Sequence, residues 1–339
     1  MNDFKIGLLN KKRGNFKLQE KFAGADKVVD ETDKEVAHHR QALIDAGYDV
    51  CTIDWGHNFI NDLQETDIDL VFNVSSMVEA AMLEEYEIPY VGSDTCTIAI
   101  ATDKSLAKSI WLNAGVPTSP FHTAKTEADC RVFKDDPPFC YPLFIKPVAG
   151  RGSAGIAGDS VVENYDQLVK GVEDRYKSIG QPVLIEKFLE GREVTFGVLG
   201  NNEDIRALPP LEIIYSDGDF ALTYEKKELD NDRFICPAQS LTSEETLQLQ
   251  SLAIKAYKTL GIKDYGRIDI KLTDDGPFLL EANTFAGLMC TPAQKPHSYI
   301  GFMAVAEGKS GKELLDEIVQ AAIKRYNLIK VDQYDSAAS

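Results

Sequence analysis

The sequence predicts an α/β protein, and three observations support this fold class. Segments of strand character and segments of helical periodicity alternate through the first 92 residues, as they do in parallel βαβ units. The chain has 339 residues, which is enough for two domains or for three small ones. Hydrophobic residues make up 44% of the chain and charged residues 27%, so the composition fits neither a fibrous nor a mostly disordered protein.

The first elements follow from the apolar pattern in chain order. Gly47 marks the end of a long helix, and the pair Thr102-Asp103 is a good N-cap for a helix that runs to Gly115. The pattern before this pair predicts strands at 5–9, 48–53, 68–74 and 88–91, and helices at 33–46 and 78–86.

Beyond residue 116 the predicted strands are separated by longer irregular segments. Residues 117–142 have no clear periodicity, and residues 216–233 are polar enough to suggest a mobile loop. A hairpin turn is expected at Asp274-Asp275-Gly276. The other predicted elements are strands at 142–147, 158–162, 183–187, 194–199, 265–272 and 277–282, and helices at 165–177, 243–261 (beginning at Ser243-x-x-Thr246) and 312–326.

Charge and cysteine usage restrict the partners and the compartment. The formal net charge is −18, which disfavours binding to nucleic acid or to an anionic membrane surface. Six cysteines occur without a C-x-x-C pair, so we expect reduced thiols rather than a disulfide framework or a zinc site. No apolar run approaches the roughly 20 residues of a membrane span, and the N-terminus lacks the pattern of a signal peptide. These features predict a soluble, cytoplasmic protein.

A glycine-rich loop at 150–155 is the first candidate for ligand binding. Its sequence, Gly-Arg-Gly-Ser-Ala-Gly, matches the dinucleotide pattern as a string, but a strand rather than a helix is predicted after it. Two strands around the loop, with Lys146 just before it, are better suited to a flap over nucleotide phosphates. Taken alone, the loop is as often a flexible surface hairpin. Gly308-Lys309-Ser310 lacks the first glycine of a P-loop and is interpreted as a turn between helices.

The hairpin at 265–284 is the strongest group of chemically active residues. Arg267, Asp269 and Lys271 alternate along one strand and therefore share a face. Glu281 and Asn283 are two residues apart on the partner strand. Together with Asp269 they would form the all-oxygen site that Mg²⁺ prefers. The alternative is ordinary cross-strand charge pairing of Arg267 with Glu281 on a solvated face.

Two further patterns are weaker. Residues 186–193, Glu-Lys-Phe-Leu-Glu-Gly-Arg-Glu, place apolar side chains between carboxylates, which could hold an adenine and its ribose. Alone, this segment is better interpreted as a solvated charged turn. The histidines show no spacing typical of metal ligands; they are His38, His39, His57, His122 and His297.

In combination, these segments resemble the ATP-grasp superfamily, and specifically the D-alanine–D-alanine ligases. The resemblance covers about residues 88–290, and the number and order of the matching segments make it specific. The matching segments are Ile88-Pro-Tyr-Val-Gly-Ser93, Thr102-Asp-Lys104, Phe144-Ile-Lys-Pro147, Glu186-Lys-Phe-Leu189, Leu208-Pro-Pro210, Phe234-Ile-Cys-Pro-Ala238, Tyr265-Gly-Arg-Ile-Asp269 and Leu280-Glu-Ala-Asn-Thr284.

The resemblance implies a three-domain ATP-grasp architecture. Residues 1–92 would form a Rossmann-like N-terminal domain, residues 93–185 a central subdomain, and residues 186–330 a C-terminal subdomain with the metal site. ATP would lie between the last two. The implied activity is that of an ATP-dependent carboxylate–amine ligase that works through an acyl phosphate, and a homodimer is a possible assembly.

The resemblance also implies roles for individual residues. The lysines and the glycine loop would contact the phosphates, residues 186–189 the adenine, and Glu193 the ribose. The residues expected to bind ATP are Lys104, Lys146, Gly150, Gly152, Ser153, Gly155, Glu186, Lys187, Phe188, Leu189, Glu193 and Lys226. The ligands of two Mg²⁺ ions, or of Mn²⁺, would be Asp269, Glu281 and Asn283. Arg267, the backbone N–H of Gly287, and Lys226 at the γ-phosphate would act in catalysis.

The sequence departs from these ligases where they hold their amino acids. The family's Gly-Gly-x-Ser-x-Glu segment is replaced by residues 10–15, Asn-Lys-Lys-Arg-Gly-Asn, without a glutamate. Its His-Gly motif becomes residues 73–77, Asn-Val-Ser-Ser-Met, its loop tyrosine becomes Lys227, and its Asn-Thr-x-Pro-Gly-Met-Thr stretch becomes residues 283–289. The serine that helps to hold the second carboxylate falls at Pro292.

These departures predict substrates that are not both D-alanine. Lys11, Lys12 and Arg13 could meet an anionic substrate, although a solvated loop is the commoner case. Glu79 could replace the missing carboxylate, although an exposed helix glutamate is commoner. The first alternative is an authentic D-alanine–D-alanine or D-alanine–D-X ligase. The second is a non-catalytic ATP-binding regulatory protein.

Overall fold

Three sheets organise the described part of the chain. The computed structural model describes residues 4–10, 25–54, 59–73, 77–150, 156, 158–215, 233–290 and 298–328. Within these ranges, no helix has both the length and the apolar character needed to cross a membrane. The six cysteines are free thiols.

The first sheet is parallel, as the alternation of strands and helices predicts. Its elements in chain order are β1 (Lys5–Asn10), α1 (Ala25–Asp45), β2 (Asp49–Asp54), α2 (Phe59–Glu65), β3 (Leu70–Phe72), α3 (Met77–Glu85) and β4 (Tyr90–Val91). The strand order is β2-β1-β3-β4, and each neighbouring pair is parallel. Helix α1 begins eight residues before the predicted start at residue 33, and α2 was not predicted.

Two short helices meet at Asp103 and lead to the second sheet. They are α4 (Thr95–Thr102), which was not predicted, and α5 (Lys104–Asn113). The Asp103 carboxylate accepts hydrogen bonds from the first backbone N–H groups of α5, so the predicted cap is confirmed. Trp111 of α5 is fully buried and donates its indole N–H to the carbonyl of Ala256. Helix α5 is therefore anchored to the core of the third sheet.

The second sheet is antiparallel and corrects one expectation. Its elements are β5 (Phe121–Ala124), α6 (Glu127–Cys130), β6 (Leu143–Pro147), β7 (Val161–Val162), α7 (Tyr165–Ile179) and β8 (Val183–Lys187), with strand order β5-β8-β6-β7. Residues 117–142 are not wholly irregular, because β5 pairs with β8. The two strands are about 60 residues apart in the chain, so no local sequence pattern predicts their pairing. Strands β6 and β7 pair antiparallel, which confirms a strand–loop–strand rather than a dinucleotide fingerprint.

The third sheet carries the long hairpin. Its elements are β9 (Arg192–Leu199), β10 (Arg206–Ala207), β11 (Leu211–Ile214), β12 (Arg233–Ile235), α8 (Ser243–Leu260), β13 (Tyr265–Thr273) and β14 (Gly276–Asn283). The order is β12-β11-β9-β13-β14, and β10 pairs with β9. The predicted start of α8 at Ser243 is confirmed. Its N-cap is Thr242, which forms a capping box with Glu245.

The last two helices return to the first sheet. They are α9 (Tyr299–Ala306), which was not predicted, and α10 (Gly311–Tyr326). Ser310 caps α10, so the interpretation of residues 308–310 as a turn between helices is confirmed. Leu315 and Ile318 of α10 lie in one core with Ile6 and Leu8 of β1. The division at 92 and 185 stays a prediction, and two features complicate it, since α5 packs on the third sheet and β8 crosses residue 185.

His39 is a buried imidazole in the core between α1 and the first sheet. It has no exposed surface and lies beside Phe72 and His38. Neither ring nitrogen has a hydrogen-bond partner among the described residues, and Glu35 approaches only to 4.0 Å. Burial, with a smaller contribution from His38, lowers the pKa of His39 from 6.5 to about 3.

We expect His39 to make the stability of the fold depend on pH. Between pH 6.5 and about 3 the unfolded chain binds a proton at this residue and the folded chain does not. Stability should therefore fall as the pH falls, by up to about 1.4 kcal/mol per pH unit. The free energy of unfolding can be measured with urea at pH 7.5, 6.0 and 5.0. It should depend less on pH in His39→Phe than in the parent, and it should depend on pH as in the parent in the control variant His122→Gln. The same pH slope in His39→Phe and the parent would refute this assignment.

Candidate functional site

A cleft opens between the second and third sheets. Its walls come from β6 and β8 on one side and from β9, β11, β13 and β14 on the other. The residues predicted for ATP or metal binding that line this cleft are Lys146, Glu186, Lys187, Phe188, Leu189, Glu193, Asp269 and Glu281. A second pocket adjoins it and contains Lys104, Gly150, Asn283 and Gly287. Arg267 and Glu281 line both cavities, so they mark the boundary between them.

The register of the β13–β14 hairpin brings the predicted metal ligands together. Asp269 lies directly opposite Glu281, and Arg267 lies opposite Asn283. The Asn283 amide nitrogen donates hydrogen bonds to an Asp269 oxygen at 3.2 Å and to a Glu281 oxygen at 3.4 Å. The two carboxylates and the amide therefore lie together on one face of the hairpin.

The solvated cross-strand pairing considered for this hairpin is wrong. The Asp269 side chain is 8% exposed, and Arg267 donates two hydrogen bonds to it, each 2.8 Å long. The Thr195 hydroxyl donates a third. Glu281 is 4.0 Å from Arg267 and closer, at 3.4 Å, to Lys104. Burial opposes the charge of Arg267, but Asp269 raises its pKa above the usual value, so the guanidinium stays charged.

A β-bulge turns Leu280 into the cleft. Asp269 pairs with Glu281 but the next residue, Ile270, pairs with Leu279, so Leu280 is an extra residue in β14. Leu280 and Glu281 both line the cleft as a result, whereas Leu279 is fully buried in the core on the other face of the sheet. A regular strand would point Leu280 away from the cleft. The bulge therefore supplies an apolar wall beside the acidic group.

Glu186 is buried between two lysines. Its carboxylate lies 2.6 Å from the ammonium of Lys108 and 2.7 Å from that of Lys146, and it accepts a hydrogen bond from Ser119. Burial alone would raise the pKa of Glu186, but the two lysines hold it at about 2. The interpretation of this segment as a solvated charged turn is therefore wrong for Glu186. Lys108 was not predicted as a site residue, although it lies one helical turn after Lys104.

Glu193 is the centre of a second charged group in the cleft. The Tyr215 hydroxyl donates a 2.5 Å hydrogen bond to it, and Lys271 lies 3.6 Å away and over the Tyr215 ring. Burial raises the pKa of Glu193, while Lys271 and the Tyr215 hydroxyl act against this shift. Tyr215 was not predicted, since it stands outside the segments that the family resemblance matches.

Tyr299 and Ser298 are two further residues that the sequence alone did not single out. The ring of Tyr299 lies 4.8 Å from the Arg267 guanidinium carbon, close enough for a cation–π interaction. The Ser298 hydroxyl donates to the carbonyl of Gly287 and accepts from the N–H of Gly301. The sequence analysis missed Ser298 because it places the family's serine at Pro292, and it missed Tyr299 because no matching segment contains this residue.

Several predicted residues lie outside the described part of the chain. They are Lys11, Lys12, Arg13, His57, Gly152, Ser153, Gly155, Lys226, Lys227, Pro292 and His297. Gly150 is described, and its carbonyl accepts a hydrogen bond from Lys104. Glu79 is fully buried, so the expectation of an exposed helix glutamate is wrong.

Two sheets enclose a cleft lined by lysines and carboxylates, which is the arrangement that the sequence predicts for an ATP-grasp enzyme. The family profile described as "D-ala D-ala ligase C-terminus" matches residues 110–320. The D-alanine–D-alanine ligase of Bordetella petrii is 33% identical over 291 residues, which cover 83% of this chain and 84% of the relative. The D-alanine–D-alanine ligase of Halalkalibacterium halodurans is 30% identical over 298 residues, which cover 84% of this chain and 92% of the relative. The chain belongs to the D-alanine–D-alanine ligase family and is an ATP-dependent ligase that forms C–N bonds.

Solved structures agree on the fold. The D-alanine–D-alanine ligase of Bacillus anthracis complexed with ATP superimposes with a TM-score of 0.72 at 22% identity, covering 95% of this chain and 98% of that one. The VanG D-Ala:D-Ser ligase of Enterococcus faecalis gives 0.70 at 22% identity, covering 94% and 99%. The predicted α/β ATP-grasp fold is confirmed. The alternative of a non-catalytic regulatory protein loses its support, because the family is one of enzymes.

We expect the apolar wall at Leu280 to contribute to nucleotide affinity. Leu280→Ala should raise the KM for ATP about 3- to 10-fold, because it removes roughly 1 kcal/mol of apolar contact. Leu272→Ala is the matched control, since Leu272 lies in the same hairpin but packs on the core behind the sheet. Leu272→Ala should lower the midpoint of urea unfolding and leave this KM unchanged. A larger KM change in Leu272→Ala than in Leu280→Ala would contradict the expectation.

Proposed function

We propose that this chain is a D-alanine–D-alanine ligase in the broad sense, joining D-alanine to a second D-alanine or to a related second substrate. The observation that carries the proposal is the position of Arg267 and Glu281 at the boundary of two adjoining pockets. A phosphoryl donor in one pocket and a carboxylate in the other would meet at the same guanidinium. The names of the relatives support D-alanine, and they favour this reading over the expectation that the substrates are not both D-alanine.

The departures from the family weigh less than the sequence indicates. Residues 11–15, 74–76, Lys227 and Pro292 lie outside the described part of the chain, so their geometry supports neither reading. Ser298 lies six residues after Pro292 and hydrogen-bonds to the carbonyl of Gly287, beside the second pocket. We infer that Ser298, rather than the position of Pro292, takes the role of the serine that binds the second carboxylate.

The chemistry needs positive charge at two stages. A carboxylate is a poor acyl donor because its oxygen is a bad leaving group. Transfer of the γ-phosphoryl group of ATP to that oxygen forms an acyl phosphate, and the amine of the second substrate then displaces phosphate. Lys104 and Lys146 would hold the phosphates, and Lys226 would reach the γ-phosphate during the first stage. Arg267 would stabilise the tetrahedral oxyanion of the second, with the backbone N–H of Gly287.

Arg267 is preorganised for this work. The two hydrogen bonds to Asp269 fix the plane of the guanidinium, and the Tyr299 ring covers one face. These contacts also fix the directions of the remaining N–H groups of Arg267. A fixed donor stabilises a developing charge without reorganising at the moment of reaction, which is the main source of electrostatic catalysis.

The oxygen donors of the hairpin suit Mg²⁺. Hard divalent cations that accompany nucleotide phosphates prefer one or two carboxylates together with phosphate oxygens, and Asp269, Glu281 and Asn283 offer such a set on one face. These three residues would hold two Mg²⁺ ions. Bound there, the ions would neutralise phosphate charge. Asp269 and Glu281 have Arg267 and Lys104, respectively, as charge partners.

A second candidate is a ligase with a different first amino acid. It is favoured by the carboxyl end of β1, where the family carries a glutamate shortly afterwards. Here Asn10 is buried and donates a hydrogen bond to Asp54, and residues 10–15 contain no carboxylate. Glu79 offers a buried carboxylate near the start of α3. Because α3 follows β3, which is parallel to β1, this carboxylate lies at the same carboxyl edge of the sheet.

In its simplest form, with D-alanine as both substrates, the proposal predicts turnover with D-alanine alone. Phosphate release from ATP should require D-alanine and Mg²⁺, and mass spectrometry should detect a D-alanyl dipeptide. L-Alanine should give no product and serves as the control. A panel of D-alanine with other second amino acids or hydroxy acids tests the wider form. If D-alanine supports no turnover in any combination while another carboxylate and amine pair does, the second candidate replaces the first.

Glu281→Ala should abolish Mg²⁺-dependent turnover and leave the chain folded. Loss of one metal ligand is expected to lower kcat at least about 100-fold, and more Mg²⁺ should be needed for half-maximal rate. Circular dichroism should be unchanged, because Glu281 is partly exposed. The matched control is Asp275→Ala, an exposed carboxylate in the turn of the same hairpin. Turnover by Glu281→Ala at the parent rate would refute the assigned metal site.

A further inference from the structure

Lys108 is a fully buried lysine at the junction of the two sheets that form the cleft. Its ammonium lies 2.6 Å from Glu186 of β8, and it donates to the hydroxyls of Thr118 and Ser119 and to the carbonyl of Leu279. Lys108, a residue of α5, thus contacts β8 of the second sheet, the segment that leads into that sheet, and the edge strand β14 of the third sheet. It is 0% exposed and does not line the cleft.

Thr118 and Ser119, to which Lys108 donates hydrogen bonds, belong to the segment that connects the third sheet to the second. Thr118 forms a parallel bridge with Leu279 of β14, and the N–H of Leu279 donates to the carbonyl of Pro117. The chain then passes through Ser119 into β5, the edge strand of the second sheet. The ammonium therefore lies where the second sheet is tethered to the third.

Charge makes Lys108 more than a tether. Glu186 has two cationic partners, and only one of them, Lys146, lines the cleft. If Lys146 were the sole partner, the two would form a neutral buried pair. Moving the Lys146 charge onto a phosphate would then leave the Glu186 carboxylate buried without compensation, which is costly. With Lys108 in place, Glu186 stays neutralised and Lys146 is free to serve another anion.

We propose that Lys108 is a positioning residue for nucleotide binding, which keeps Glu186 compensated so that Lys146 can bind phosphate. Lys108 itself touches neither ATP nor amino acid. The inference rests on the proposed placement of the ATP phosphates at Lys146. It explains why a helix that begins with the predicted phosphate lysine, Lys104, carries a second lysine one turn later that is wholly enclosed.

Calorimetry with ADP tests the proposal without any assumption about the amino-acid substrates. Lys108→Met keeps the length of the side chain and removes its charge. It should weaken ADP binding about 10- to 100-fold, the penalty expected when a buried charge loses a hydrogen-bonded partner. The effect should depend on the charge of Glu186. In a Glu186→Gln background, the same Lys108→Met substitution should change ADP affinity by less than about 3-fold.

Thr118→Val is the matched control for loss of packing. It removes the hydroxyl that contacts both Lys108 and the Leu279 carbonyl, but it leaves both charges of the Lys108–Glu186 pair. Thr118→Val should lower the thermal unfolding midpoint and leave ADP affinity within about 3-fold of the parent. If Thr118→Val weakens ADP binding as much as Lys108→Met does, the role of Lys108 is structural and the proposal is wrong.

The outcomes separate this inference from the proposed function. If the parent chain does not bind ADP, or if Lys146→Met binds it as tightly as the parent, the placement of ATP fails. Suppose instead that the parent binds ADP and that Lys146→Met weakens this binding. If Lys108→Met then binds ADP as tightly as the parent, the proposed role of Lys108 is wrong but the placement of ATP stands. If Lys108→Met does not fold, the ADP affinity of Glu186→Gln is compared with that of the Lys108→Met/Glu186→Gln double variant, and this comparison tests the proposal. An added loss greater than about 10-fold in the double variant would overturn the proposal.

Discussion

Burying charge requires a partner for it, and this constraint shapes the whole cleft. The two sheets meet over groups that are expensive to remove from water unless they are paired. Glu186 is held by two lysines, Asp269 by Arg267, and Glu193 by Lys271 and Tyr215. The pairs of Glu186 and Glu193 join neighbouring strands or join a helix to a sheet, whereas Asp269 and Arg267 lie two residues apart on β13. The site and the packing of the sheets are therefore stabilised by the same contacts.

The pairing also explains how a chain of net charge −18 can hold a polyanion. Net charge describes the surface and the long-range field, whereas a ligand in a cleft meets local groups. The cleft concentrates lysines and one arginine against carboxylates that can be shared with a metal ion. In the structure, Lys146, Arg267 and Lys104 pair with Glu186, Asp269 and Glu281, respectively. Binding of ATP and metal would exchange one set of charge partners for another.

Local signals predicted much of the fold. The parallel first sheet, the cap at Asp103 and the hairpin at 265–283 follow from periodicity, capping and turn residues, which act over a few positions. The strand β5 and the helix α9 were missed for a different reason. β5 exists because it pairs with β8, and α9 because Ile300 and Met303 fill the core beneath the third sheet. Such contacts join residues far apart in the chain.

The sequence by itself determined the family, the fold class and the charged residues of the hairpin, because these rest on residue types at short spacings. Only the tertiary structure decided which charges meet. It placed Lys108 on Glu186, Tyr299 on Arg267 and Lys271 on Glu193. It also turned Leu280 into the cleft through a bulge. The physical reason is that burial sets the cost of each charge, and burial is a property of packed sheets and helices that no single segment possesses.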